Sequence, residues 1–409
     1  MNRYLIINSD SPNNRGDRAI LMGNICLLRQ TFGDDIDIWA LSEYPERDAQ
    51  WYGIHFIPIS VQSLSPFDML TLLKKAKEFD IIFWGGGELL KDYTNKLSLI
   101  YWVIKIYLVS LVNPNVYGMF QGIGPTHSKF GKNLIRFIVG RCKVFFTRDD
   151  ESKQKLLNWG VKTKIISSFD PAILQTASQL TDETVKMLKT FYDIDETLLN
   201  NFIGVGPRNW FHYNKSSWLP YKYRQLLPFQ KKAAMGDNSM IMKMHIASLL
   251  DDVVQELDTN IIFFPMHMSE TENDVEVSRT IISYMRNGER TRVLDKDNIS
   301  PQHYLNIVSH SKLFIGVRLH STILATVAKI PSFVFYYVDK GRLYFEQIGL
   351  KTYSAPIESI LNKEMLSEFK DKIIVLKENE TNVKTIIDDN LLKMRTQISD
   401  VFKREVFRR

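Results

Sequence analysis

Cysteine is the scarcest residue, with only Cys26 and Cys142 in 409 positions, each in an apolar or mixed segment. A disulfide framework is thereby excluded, and a reducing, cytoplasmic compartment is expected. Metal-ligand spacing is also missing, since no His, Cys, Asp and Glu set has it, so neither a structural nor a catalytic metal is expected. The opening Met1-Asn2-Arg3-Tyr4-Leu5-Ile6-Ile7-Asn8 turns polar too soon for a signal peptide and reads as a buried first strand. The strongly apolar stretch Leu97 to Val112 contains Lys105 and closes at Asn113-Pro114, which makes it too short to span a bilayer. A core helix is the first reading, with contact at a membrane interface the lesser one. Internal repeats, low-complexity tracts and compact basic blocks are absent, so nucleic acid is not favoured as a partner. Gly85-Gly86-Gly87 lacks the Lys-Ser/Thr ending of a phosphate-binding loop, and neither it nor Gly122-Ile123-Gly124 completes a dinucleotide fingerprint. ATPase and nicotinamide chemistry are therefore set aside.

What remains is a globular composition, 44% hydrophobic, 12% aromatic and 24% charged, on a chain long enough for two domains. A net charge of +6 and a pI near 9.0 suit an anionic substrate or an anionic membrane surface. Apolar strands alternate with polar or Gly-rich turns and helices. Tyr4 to Asn8 leads into a loop and the apolar helix Ala19 to Leu28, and strands follow at Ile36 to Leu41, Ile54 to Ile59 and Asp80 to Trp84. Val116 to Phe120 runs into Gln121-Gly122-Ile123-Gly124-Pro125, and Lys143 to Phe146 into Thr147-Arg148-Asp149. This alternation predicts a parallel sheet with helices on both faces and ligands beyond the carboxyl ends of its strands. A polar helical stretch from Gln175 to Asn201 crosses to a second set of strands at Phe202 to Gly206, Asn260 to Phe264, Arg292 to Leu294, Leu313 to Val317 and Pro331 to Tyr337. Between them, Phe211 to Lys232 is aromatic and basic without periodicity, a loop for an acceptor or a tolerated insertion.

The most informative junction is Arg318-Leu319-His320-Ser321, where a strand hands over to the helix-compatible Thr322 to Val327. Arg318 and His320 are separated by one residue, Leu319, and so point to the same side of an extended chain. A guanidinium there can grip a carboxylate or phosphate, a helix N-terminus adds N–H groups, and an imidazole exchanges protons near neutral pH. The plainer reading, that both residues merely cap the helix and bond to backbone, stands beside it. His267 ends a strand beside a polar turn and is the second histidine of interest, as a functional or a structural group. Asp17 and Asp274 sit at strand-to-helix loops, where capping is the commoner role and hydroxyl binding the other. Gly85-Gly86-Gly87 lets backbone approach closely and offers N–H groups to an anion.

Taken in order, Asn14-Arg15-Gly16-Asp17, Gly85-Gly86-Gly87-Glu88-Leu89-Leu90, Gly122-Ile123-Gly124-Pro125, Arg148-Asp149 with Ser152, and Gly316-Val317-Arg318-Leu319-His320-Ser321 resemble the polysaccharide pyruvyl transferase family. The resemblance runs from residue 3 to about residue 350. It implies an α/β fold of two Rossmann-like domains facing a central cleft, GT-B-like, with a C-terminal helical segment. The expected bounds are 1–178 for the acceptor side, 200–354 for the donor side and 355–409 for the helical segment. It further implies that phosphoenolpyruvate gives its pyruvyl group to two hydroxyls of a sugar as a cyclic ketal, with no metal or other cofactor. The family's Arg-X-His element falls on Arg318 and His320, its first-domain arginine on Arg148, and another donor-gripping position on Arg208.

The chemistry fits those residue types. Phosphoenolpyruvate concentrates a carboxylate and a phosphate on a small frame, for which Arg suits better than Lys. Arg208, Arg318, His267 and Ser321 are the expected donor-binding residues, His320 is the acid for the methylene carbon, and Arg148 steadies the departing phosphate or forms a plain salt bridge. Asn14, Asp17, Gly86 and Glu88 are the expected acceptor-binding residues. The acceptor is a glycan; its lipid linkage, peripheral membrane contact and the oligomeric state stay open. The alternatives are a GT-B glycosyltransferase using a sugar nucleotide and a non-catalytic glycan-binding member of an envelope-polysaccharide assembly. Thermal shift with phosphoenolpyruvate against sugar nucleotides separates them.

Overall fold

Short apolar runs buried on both faces build each sheet, as parallel strands between helical layers require. The computed structural model describes residues 2–8, 14–93, 95–210, 237–269 and 272–407. Two compact units result among the described residues: one runs to Leu174 and takes in Met394 onward, and the other holds 175–210 and 237–393. Phe211 to Lys232, the expected acceptor loop, lies outside the described residues.

The first unit holds a seven-stranded parallel sheet of β1 (Arg3–Ile7), β2 (Asp37–Leu41), β3 (His55–Ile57), β4 (Ile81–Gly85), β5 (Val116–Gln121), β6 (Val144–Thr147) and β7 (Lys164–Ser167), in the order 3-2-1-4-5-6-7. Its helices are α1 (Arg15–Phe32), α2 (Pro45–Tyr52), α3 (Pro66–Ala76), α4 (Lys96–Val112), α5 (Lys129–Val139) and α6 (Asp150–Asn158). Strand order reverses between β1 and β4. At that reversal Gly85, Gly86 and Gly87 take φ of 121°, 94° and 66°, a run of left-handed conformations that side chains with a Cβ resist. β7 escaped the sequence reading because only Ile165 and Ile166 mark it as apolar.

The second unit holds a six-stranded parallel sheet of β8 (Phe202–Gly206), β9 (Asn260–Phe263), β10 (Thr291–Val293), β11 (Phe314–Gly316), β12 (Ser332–Tyr336) and β13 (Ser354–Pro356), in the order 10-9-8-11-12-13. Its helices are α7 (Asp182–Tyr192), α8 (Glu196–Leu199), α9 (Asp237–Leu257), α10 (Asp274–Tyr284), α11 (Pro301–Val308), α12 (Leu319–Val327), α13 (Asp339–Gln347) and α14 (Met365–Glu378), before the long α15 (Glu380–Phe407). Here the order reverses between β8 and β11. The C-terminal stretch beyond residue 354 is largely helical, and its apolar faces are shared between the two cores. Phe369 of α14 packs on Phe333 and Phe335 at ring distances of 6.1 and 5.2 Å. Phe402 of α15 packs on Phe83, Phe120 and Phe146 of the first sheet.

Cys26 and Cys142 are free thiols. Burial pushes the Cys142 thiol up to about 12, and the Trp84 indole N–H donates to its sulfur at 3.1 Å. Leu97 to Val112 is indeed helical, and no helix among the described residues is long and apolar enough to cross a membrane.

Candidate active site

β8 and β11 pair in parallel register, Gly204 with Phe314 and Gly206 with Gly316. Arg208 and Arg318 each lie two residues beyond those last partners, so the register sets both at the strand-order reversal of the second sheet. Ligands of open α/β sheets gather at such a point. The approach is close: a Cβ added to Gly206 would meet the Ser321 hydroxyl at 2.3 Å. Ser321 is buried and donates its hydroxyl to the Arg318 carbonyl at 2.6 Å, which ties α12 to the end of β11.

Arg318 is gripped by carboxylates. Its Nε and Nη2 donate to Asp274 at 2.6 and 2.8 Å, and Nη2 also donates to Glu272 at 3.0 Å. Burial opposes the guanidinium's charge, but Asp274 and then Glu272 outweigh it and hold the group firmly protonated. The Nη1 edge makes no hydrogen bond among the described residues. Asp274 also accepts from the backbone N–H groups of Met266 and His267 at 3.1 and 2.9 Å. The expected capping role of Asp274 is thus corrected: Asn273 caps α10, and the Asp274 carboxylate instead clamps the β9 loop to Arg318.

Arg208 stands beside the same carboxylate, its Nη2 at 3.5 Å from Glu272. Its Nη1 donates to the Tyr337 hydroxyl at 2.5 Å, and its guanidinium carbon lies 4.1 Å from the ring centroid. Burial raises the Tyr337 hydroxyl's pKa, but Arg208, Lys340 and Arg318 together bring it below its usual value. Trp210 stacks at an angle on Tyr337, with centroids 4.8 Å apart. His267 lies in the same loop, with Nδ1 3.1 Å from the Glu272 carbonyl and 3.1 Å from the Ser269 hydroxyl. Burial, then Arg318, pushes its pKa down, which favours the neutral ring.

His320 is half-buried in the first turn of α12. No side chain caps that helix, whereas Asn14, Ser128, Asp149 and Ser300 cap α1, α5, α6 and α11. A helix N-terminus of this kind is a common place for an anion.

The candidate residues of the first unit are built into its loops. Asn14 caps α1 by accepting from the Gly16 and Asp17 N–H groups at 3.0 and 3.4 Å, and its Nδ2 donates to Asp17 at 2.6 Å. The expected cap at Asp17 therefore belongs to Asn14. A Cβ at Gly86 would strike Ile20 at 2.6 Å, so glycine is required there for packing. Glu88 stands by Gly124 and Lys91. Arg148 and Asp170 form a buried pair at 3.0 Å, with each side chain 4% exposed. The plain salt bridge is thus what this arginine makes in the first unit.

Glu272 and Tyr337 were missed in the sequence. Tyr337 carried one signal, its place at the end of the strand next to β11; Glu272 carried none.

A family model for polysaccharide pyruvyl transferase matches residues 14–339. The chain belongs to the polysaccharide pyruvyl transferase family. This member is 20% identical to the amylovoran biosynthesis protein AmsJ of Erwinia amylovora over 98% of its own length and 99% of that protein's. Its fold is similar to that of a glycosyltransferase from Rickettsia africae, with a TM-score of 0.57 and 12% identity over 100% of this chain and 99% of that one. A UDP-GlcNAc 2-epimerase from Methanocaldococcus jannaschii gives a TM-score of 0.53 and 11% identity over 91% of this chain and 93% of that one. These solved structures establish a GT-B-like architecture, and family membership makes the chain a transferase of polysaccharide biosynthesis.

Proposed function

We propose that this family member transfers the pyruvyl group of phosphoenolpyruvate to two hydroxyls of a sugar, forming a cyclic ketal and releasing phosphate. The observation that carries the reading is the conjunction, at one strand-order reversal, of Arg208, Arg318 and an uncapped helix N-terminus bearing His320 in its first turn. That is a site for a small, multiply charged anion beside a proton donor. Since Asp274 occupies the Nε–Nη2 edge of Arg318, the donor is held by the Nη1 side, by Arg208 and by the α12 N–H groups. Glu272 bridges both arginines and gives way to the incoming anion. His267 and Tyr337 orient the donor as hydrogen-bonding partners.

In the proposed reaction the first sugar hydroxyl bonds to C2 of the donor and passes its proton to the phosphate that will depart, while His320 delivers a proton to the C3 methylene, making it a methyl group. The C2–O bond to phosphate then breaks, its electron pair leaving with the phosphate. The second hydroxyl attacks the resulting oxocarbenium carbon and loses its proton as the ketal closes. Asp17 and Glu88 are the proposed partners for sugar hydroxyls, with Asn14 and Gly86 shaping their loops, and Arg148 steadies its own loop through Asp170. No metal or further cofactor is needed in this scheme. The test is phosphate release from phosphoenolpyruvate across a set of acceptor glycans, followed by mass spectrometry for the added pyruvyl group. Phosphate release that requires a sugar nucleotide, or none with any acceptor, defeats the proposal.

A further inference from the structure

Helices α3, α4 and α5 cover one face of the first sheet, their inner sides meeting in a core that includes Leu72, Leu99, Ile106 and Ile135. Their outer sides are unusual. On α4, Leu97, Ile104 and Leu111 recur every seventh residue, so they share one helix face, and they are 44%, 51% and 57% exposed. On α5, Phe130 and Phe137 repeat the same spacing and are 47% and 43% exposed. On α3, Phe67 and Leu70 are 80% and 55% exposed. Scattered apolar residues are ordinary on a surface, but three adjacent helices each presenting an apolar stripe are not. The stripes join: Tyr107 of α4 lies 5.3 Å from Phe137 of α5, and the Arg141 guanidinium covers both rings at 4.9 and 5.2 Å.

Charge on this layer is one-sided. Asp68 is the sole acidic residue within α3, α4 and α5, and Ser63 donates to it. Lys74, Lys75, Lys96, Lys129, Lys132 and Arg136 are the bases of these helices that reach the surface, Lys75 paired with Glu78 just beyond α3, while Lys105 points inward to the Val61 carbonyl. An apolar centre ringed by lysine and arginine complements an anionic bilayer, whose acyl boundary takes the rings and whose headgroups take the cations. We infer that the outer face of α3, α4 and α5 docks the protein on an anionic lipid surface. This stands on the surface of the first unit alone and does not depend on the reaction proposed above.

Sedimentation with vesicles of phosphatidylglycerol and phosphatidylcholine tests it on the full chain. Binding is expected to vesicles rich in phosphatidylglycerol, at least tenfold weaker to pure phosphatidylcholine, and weakened by salt. Ile104→Glu with Phe137→Glu should abolish it, with circular dichroism verifying the fold. Lys129→Glu with Arg136→Glu, which leaves the apolar stripe intact, should reduce it about tenfold or more. Absence of vesicle binding overturns the inference. So does binding that survives Ile104→Glu with Phe137→Glu, or a wild-type dimer that those substitutions convert to a monomer, which would give the face to a second copy of the chain.

Discussion

Asp274→Asn is the most searching perturbation of the site. The carboxylate is 1% exposed and serves two guanidinium nitrogens and two backbone N–H groups at once. Asparagine keeps the shape but replaces one oxygen by an NH2 group, which meets the Arg318 donors head-on and removes the charge that justifies burying the guanidinium. Breaking a buried pair from one side costs about 3–5 kcal/mol. For a unit of roughly 150–250 residues each kcal/mol moves the midpoint by about 2–4 °C, so the second unit's calorimetric transition should fall by about 6–20 °C. The double change Asp274→Leu with Arg318→Met should recover most of that loss, because replacing both partners of a buried pair by apolar groups is often neutral. A single variant melting within about 2 °C of wild type would refute the clamp. Equal losses in the single and double variants would place the cost in the loop amides instead.

Three further outcomes are expected. His320→Ala and His320→Gln should each lower turnover by about two to four orders of magnitude while calorimetry shows donor binding largely intact; near-normal turnover in either folded variant removes His320 from the reaction. Glu272→Gln takes away the carboxylate that both arginines share, so phosphoenolpyruvate should bind roughly tenfold more tightly; weaker binding would make Glu272 a required positioning group. Burial pushes Lys105 down to about 8, below its unfolded value, so between about pH 8 and 10.5 the unfolded chain holds more protons and stability rises with pH. Across that window wild type should gain up to about 3 kcal/mol relative to Lys105→Met in urea titrations, and parallel curves would contradict the shift.

Much of the fold was legible because parallel strands buried on both faces read as continuous apolar runs, as in Ile81–Gly85 and Phe202–Gly206. Strand order was not legible, since it depends on which crossovers pack, and with it went the placing of Arg208 beside Arg318. Each arginine was visible two residues past a strand; only the β8–β11 register makes them neighbours. Local rules also misassigned Asp17 and Asp274, because an acid before a helix reads as its cap. In both helices an asparagine immediately upstream or three residues before had taken that role, at Asn273 and Asn14, and the acid was released for a longer-range partner or held by the cap itself.

The arginines singled out in the two units, Arg148 after β6 and the Arg208–Arg318 pair at the second sheet's reversal, differ in what they have left to offer. Arg148 of the first unit sits against Asp170, both side chains out of water, and an anion arriving there would have to separate a buried pair at a cost of several kcal/mol. In the second unit the pairing is uneven. Asp274 is saturated by Arg318 and two backbone N–H groups, whereas Glu272 is 25% exposed in its side chain and divides itself between Arg318 at 3.0 Å and Arg208 at 3.5 Å. A carboxylate shared between two cations, at longer distance and nearer water, is the weaker counter-ion and the one an incoming anion displaces. Displacing it leaves Arg318 still fixed by Asp274 and Arg208 still bonded to Tyr337, so both guanidinium groups keep their aim while their charge becomes available. That asymmetry supports the proposal that the donor binds in the second unit.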